Sequence, residues 1–253
     1  QWGEVVVKRG DEVSARMPYV IKKKYGLTAL TMPPLTQTLG PWLRPSKAKY
    51  ARQLSEQKQL MNELIGQLPD VDYFCQNFSP YITNWLPFYW RGFTQTTRFT
   101  YRLEDLTDLD VIWSGFNENV RNKIRKAQKQ VEIRDDLSIQ DFIKINELTF
   151  IRQGIELPYS AELVERLHKV CQEHNASKAF FAIDEQDRIH AAIYLVWDSN
   201  TAYYLMAGEH PELRKSGANS LLIWEAIKYA STVTKVFDFE GSMIEPVEEF
   251  VRA

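Results

Sequence analysis

Alternation and helical periodicity cut the chain into two successive runs of elements. Residues 2–8 are β-rich, and the polar turn Arg9-Gly10-Asp11-Glu12 joins them to residues 13–22, which predicts a hairpin. Residues 27–32 read as a further short strand that runs into Pro33-Pro34 and a Gly40-Pro41-Trp42 turn. Ser46 is placed to cap a helix extending to about residue 68, with Leu54, Met61, Leu64, Ile65 and Leu68 on its apolar side. Residues 71–76 predict a strand, residues 81–90 a short aromatic helix or loop, and residues 93–101 a strand rich in Thr and aromatic side chains. The first run is thus β-β-β-α-β-α-β.

Helices open the second run. Thr107 is placed to cap residues 108–116, and residues 117–130 form a second helix striped by Val120, Ile124, Ala127 and Val131. Residues 138–153 and 160–174 are two more amphipathic helices, each opening on a serine. Strands follow at 179–184, 189–197 and 201–207, with polar turns between them. Residues 217–232 are apolar around most of a helix circumference, the pattern of a helix packed on a sheet. Residues 236–240 read as a buried strand, and Pro246 opens a last helix in its first turn, where the missing N–H costs nothing. Helices, then β-β-β-α-β-α, repeat the order of the first run. The expectation is a mixed-sheet α/β (α+β) chain in two similar units, residues 1–105 and 106–253.

Composition narrows the function classes. Hydrophobic residues are 44% and charged residues 25%, an ordinary globular mix that excludes wholesale disorder. A net charge of −2 excludes a globally basic nucleic-acid binder, while leaving room for a local basic patch. No apolar run approaches the roughly 18 residues of a membrane span, and no secretory leader is visible. Cys75 and Cys171 make neither a metal spacing nor a disulfide framework, so a cytoplasmic compartment is expected. The chain starts at Gln1 and stops inside a helix at Ala253, so further elements are expected beyond both ends.

Several groups could carry chemistry. Arg214, Lys215 and Ser216 precede Gly217 and Ala218 at a helix start, where free N–H groups and a positive dipole suit a phosphate, although a solvated turn has the same composition. Asp238 and Glu240 lie two apart on one strand and project from one face, Glu240 at the strand end beside Gly241. A carboxylate beside aromatic surface there could have a raised pKa and act as a base; a buried ion pair and a helix cap are the alternatives. Glu209 is a second candidate base in its loop, and Tyr204 a candidate acid. Arg121 and Arg125, with Lys123 and Lys126, make a basic helix face for a phosphate-rich ligand or simply for solvent. Trp85 and Tyr89 could wall a sugar or peptide groove or plug a core. His168, His174 and His190 stand singly, so no metal is expected.

Asn119-Val120-Arg121-Asn122-Lys123-Ile124-Arg125-Lys126-Ala127 is similar to a basic helix of the FemABX-type transferases. Tyr203 to Gly208, then Arg214-Lys215-Ser216-Gly217-Ala218, resemble the strand–loop–helix of the GNAT acyltransferases, and Phe237 to Gly241 resemble their following strand. The chain therefore resembles the GNAT superfamily, with the tandem organisation of its FemABX-like and BioF2-like members. The resemblance implies transfer of an acyl group from acyl-CoA to a small-molecule or peptide amine. Arg214 to Ala218 would hold the donor phosphate and Glu240 or Glu209 would deprotonate the amine. The resemblance also covers aminoacyl-tRNA as donor, with a cell-wall precursor as acceptor. Asn219, where the GNAT loop usually ends in Gly or Ala, leaves room for a non-catalytic binding module.

Overall fold

The computed structural model describes residues 1–253, which divide into two compact units, Gln1–Thr97 and Arg98–Ala253. In the first, β1 (Trp2–Arg9), β2 (Glu12–Lys24) and β3 (Leu27–Thr31) form an antiparallel meander. The short β4 (Trp42–Leu43) also pairs with β2. Helix α1 (Tyr50–Ile65) follows, and β5 (Tyr73–Phe74) joins the sheet parallel to β3. Every second residue of β1 and β2 points to one face, so Val5, Val7, Ala15 and Met17 together meet Met61 and Leu64 of α1. Phe88, in the single turn α2 (Leu86–Tyr89), fills the remaining gap against Phe78 and Phe93.

The second unit runs β6 (Arg102–Leu103), α3 (Leu109–Gly115), α4 (Glu118–Ala127), β7 (Glu132–Arg134), α5 (Ile139–Gln153) and α6 (Ala161–Glu173). It continues with β8 (Ser177–Ile183), β9 (Ile189–Trp197), β10 (Thr201–Glu209), α7 (Ala218–Val233), β11 (Val236–Asp238) and α8 (Glu245–Arg252). The strands form one sheet in the order β6-β11-β10-β9-β8-β7, parallel only between β10 and β11. Ala191, Ile193 and Leu195 of β9 pack against Leu222, Ala226 and Ile227 of α7. Tyr194, on the opposite face of the same strand, meets Phe142 of α5 and His168 of α6. Helices therefore cover both faces of the sheet. Ser138 and Ser160 cap α5 and α6 by accepting from the amides of Asp141 and Leu163.

The two units share a pairing pattern. An antiparallel three-strand meander, a helix and a strand parallel to the third occur as β1-β2-β3-α1-β5 and again as β8-β9-β10-α7-β11. The tandem α/β architecture expected from the element order is present. No helix is long and apolar enough to cross a membrane.

Four local expectations are corrected. Residues 93–101 are not a strand; only Arg102–Leu103 pairs, with β11, because β propensity makes a strand only where a sheet edge is in reach. Ser46 does not cap α1: it donates to Glu56 and accepts from the Ala48 amide, and α1 starts after Lys49 without a side-chain cap. Asp108, not Thr107, caps α3, its carboxylate accepting from the amides of Asp110 and Val111. The strand at 236 ends at Asp238, and Glu240 lies beyond it at φ +58°, so Asp238 and Glu240 do not share a strand face.

Candidate active site

The sheet of the second unit opens at β10. Parallel pairing with β11 covers Thr201↔Val236, Ala202↔Phe237 and Tyr203↔Asp238 and then stops, while β10 continues to Glu209. On its other edge β10 stays paired with β9, but Tyr204 faces Leu195 and Met206 faces Tyr194, so Leu205 is a bulge. A bulge re-aims the backbone and turns a strand away from its neighbour. The two parallel strands thus part beyond Tyr203↔Asp238 at their carboxyl ends, and this parting, the crevice, is a usual place for a ligand in an α/β sheet. The first unit has no such opening, since Leu39 bridges Phe78 beyond β3 and β5 and its amide donates to the Asn77 carbonyl.

Helix α5 supports the strand there. A Cβ on Gly208 would lie 2.5 Å from the Ile145 carbonyl and the Asn146 nitrogen, so the absent side chain lets helix backbone rest on strand backbone. Either side of Gly208, the Asn146 side-chain amide donates to the Ala207 carbonyl at 2.7 Å and the Glu209 amide donates to Thr149 Oγ1 at 2.9 Å. The Tyr159 hydroxyl donates to Asn146 Oδ1 at 3.1 Å. None of Asn146, Thr149 and Tyr159 was singled out by sequence. The available signal was two polar residues three apart on a helix face that also carries Phe142, Ile143 and Ile145.

The mouth of the crevice carries carboxylates in unequal surroundings. Asp238 is 6% exposed and accepts from Thr100 Oγ1 at 2.6 Å and the Glu240 amide at 2.7 Å, with Arg102 Nε at 3.4 Å. It is an ion-paired anchor joining β11 to β6. Burial, and then the charge of Asp238, push the Glu240 carboxyl up to about 8. Gly241 follows at φ +51°, where a Cβ would collide with the Phe99 carbonyl, so this corner holds Glu240 in a left-handed turn. Burial likewise raises the Tyr204 hydroxyl, which keeps its proton and lies 3.4 Å from Asn219 Oδ1 in the first turn of α7.

The start of α7 is preceded by a tight turn at Arg214–Ser216, and Gly217 follows it at φ +80°. Ser216 Oγ accepts the Ala218 amide at 3.3 Å, leaving the next amides of the helix start without a carbonyl partner inside the helix. Gly217 has a structural duty as well, since a Cβ there would lie 2.9 Å from the Lys123 carbonyl of α4. Arg214 Nε pairs with Glu209 at 3.1 Å, and Lys126 Nζ donates to the Lys215 carbonyl at 3.2 Å. Arg214, Lys215, Lys126 and the first turn of α7 thus place positive charge and N–H donors together, which fits a phosphate.

The remaining sequence candidates lie elsewhere. Arg121 donates to the Ser114 and Phe116 carbonyls at 2.7 and 2.8 Å, closing the carboxyl end of α3. Arg125 sits over the Trp113 ring at 5.7 Å and donates to Asn122. Replacing Arg121 by Met is expected to lower stability by about 1 kcal/mol in urea unfolding, because the carbonyls at the end of α3, that of Phe116 part-buried, lose their charged donor. Trp85 packs on the core of the first unit and against Tyr89, which is exposed. His190 is held by Asp184 at 2.9 Å, and no three His, Cys, Asp or Glu side chains converge as a metal site would require.

The family described as Acetyltransferase (GNAT) domain matches residues 114–242, half of the chain and the stretch that contains the crevice. The chain belongs to the GNAT acetyltransferase family. Its fold is similar to that of FemX, at a TM-score of 0.65 and 13% identity over 96% of this chain and 79% of that one. A spermidine N-acetyltransferase from Vibrio cholerae, solved with CoA and spermine, is 25% identical over 42% of this chain and 66% of its own, at a TM-score of 0.33. No curated protein sequence matches the chain. The GNAT family and the FemX-like fold agree with the resemblance read from the motifs, and acyl transfer is the general class of chemistry.

Proposed function

We propose that the GNAT unit transfers an acyl group from acyl-CoA to an amine within the crevice between β10 and β11. The observation that carries this reading is the parting of the two strands after Tyr203↔Asp238, with a carboxyl of raised pKa just beyond the parting. Arg214, Lys215 and the amides that open α7 hold the donor's phosphate. Backbone N–H groups around the Leu205 bulge face the acyl carbonyl and stabilise its developing negative charge. Glu240 takes a proton from the acceptor ammonium. The amine nitrogen then bonds to the acyl carbon, the carbon–sulfur bond breaks, the sulfur takes a proton from Tyr204, and the surplus proton on nitrogen restores that of Tyr204, leaving a neutral amide and CoA thiol. Glu209 releases Arg214 when phosphate binds and becomes a second acceptor of the amine proton. A cytoplasmic location belongs to the same proposal.

The test is incubation with radiolabelled acetyl-CoA and a panel of primary amines: lysine, a polyamine, an amino sugar and a dipeptide. Label in an amide product with release of CoA is the expected result. Absence of product from acetyl-CoA, with product from a charged tRNA, would replace the donor. Arg214→Ala is expected to weaken acetyl-CoA binding about tenfold to a hundredfold in calorimetric titration, the value of one charge-assisted contact. Gly217→Val is a poor probe of the same site, because its side chain would meet Lys123 and disturb α4.

A further inference from the structure

Asn146 is 3% exposed in the middle of α5, on the face it shares with the buried Phe142, Ile143 and Ile145. An amide in such a place is costly unless both its ends are bonded. Here both are: Nδ2 donates to the Ala207 carbonyl and Oδ1 accepts from Tyr159. Three pieces of the chain meet through that one side chain, namely the part of β10 that β11 has left, the helix lying on it, and the segment 154–160 between α5 and α6. The next polar residue on the helix, Thr149, takes the Glu209 amide.

We propose that Asn146 and Tyr159 are positioning residues that set the register of the donor on β10. This rests on the reading of β10 as the strand that bears the donor. An open strand edge offers N–H and C=O groups in turn, and the pantetheine arm of CoA is extended and carries amides that can pair with such an edge. With the Ala207 carbonyl and the Glu209 amide already bonded to α5, an arm that enters from the phosphate site beside Glu209 can begin its pairing only on the groups these two bonds leave open. Where the pairing begins fixes how far the thioester advances towards Leu205, and so where the acyl carbon stands relative to Glu240. Tyr159 holds the Asn146 amide in the rotamer that points Nδ2 at the strand.

Tyr159→Phe keeps the ring and its edge contact with Phe150, 6.2 Å between centroids, and removes only the hydroxyl. Asn146→Asp keeps the shape, but when ionised sets a negative oxygen against the Ala207 carbonyl. Both variants are to be assayed with acetyl-CoA and the amine that accepts label, alongside calorimetric binding of acetyl-CoA and thermal melts. The expected result is a kcat lowered about tenfold to a hundredfold, the cost of a small misplacement of reacting groups, with the donor Kd within about twofold of wild type. For Asn146→Asp the deficit shrinks as the pH falls, because the protonated carboxyl can again donate to Ala207. Wild-type kcat in both variants, with or without a lower melting temperature, would overturn the proposal and leave the acyltransferase reading standing. Failure of the wild-type protein to bind acetyl-CoA would overturn both. Should Asn146→Asp fail to fold, the kcat of Tyr159→Phe decides alone.

Discussion

Replacing Glu240 by Gln is expected to lower acyl transfer about a hundredfold to ten-thousandfold, the range associated with a positioned general base. The substitution keeps the size of the side chain and removes its ability to take a proton. In the wild-type protein the carboxyl holds its proton until about pH 8. Only the ionised form can accept a proton from an ammonium, so the wild-type rate rises with pH through a limb near 8, and that limb is absent from Glu240→Gln. Stability runs the opposite way. A Glu carboxyl has an ordinary value of 4.5, so between 4.5 and about 8 the folded protein binds more protons than the unfolded chain. The favourable contribution is complete below 4.5 and is lost as the pH rises through 8. At pH 9 Glu240→Gln is therefore expected to melt at or above the wild-type temperature. Lost activity together with retained or raised stability separates a base from a structural residue. Equal rates in the two proteins across pH 6–9 would remove Glu240 from the mechanism.

Gly208→Val carries the largest expected cost to the fold, above about 3 kcal/mol. Even a lone Cβ at this position would lie 2.5 Å from three backbone atoms of Ile145 and Asn146. Backbone cannot swing aside as a side-chain tip can, so α5 must lift from β10. Lifting breaks the bonds from Asn146 to Ala207 and from Glu209 to Thr149, and it loosens Phe142 from Tyr194. Urea unfolding followed by tryptophan fluorescence measures the loss. An unchanged midpoint would mean that α5 does not rest on β10 as described.

Patterns carried within a few residues were legible before the structure. Ser138 and Ser160 announce α5 and α6 because a serine before an apolar periodic run satisfies the helix's first free amides. The apolar circumference of α7 announces a helix buried on a sheet. Asp238 and Glu240 stood out, but not their division of labour. That depends on Arg102 and Thr100, more than a hundred residues earlier, which pair with Asp238, while burial and the charge of Asp238 push the Glu240 carboxyl upward. The Leu205 bulge was invisible because it is a property of two strands in register, not of either sequence. Arg121 stayed open between a ligand contact and a solvated face, because composition cannot tell an exposed guanidinium from one folded back onto the end of the preceding helix. Residues 93–101 have strand propensity without a neighbouring edge, and pairing requires both.

The most direct test of the central claim is hydrogen exchange of the protein with and without acetyl-CoA, read on peptides that cover β10 and the start of α7. A donor lying in the crevice slows exchange of amides from Tyr204 to Ala207 and of the first turn of α7, and leaves the β1–β2 hairpin unchanged. Binding of acetyl-CoA without protection of β10 would contradict the account and place the donor on another surface.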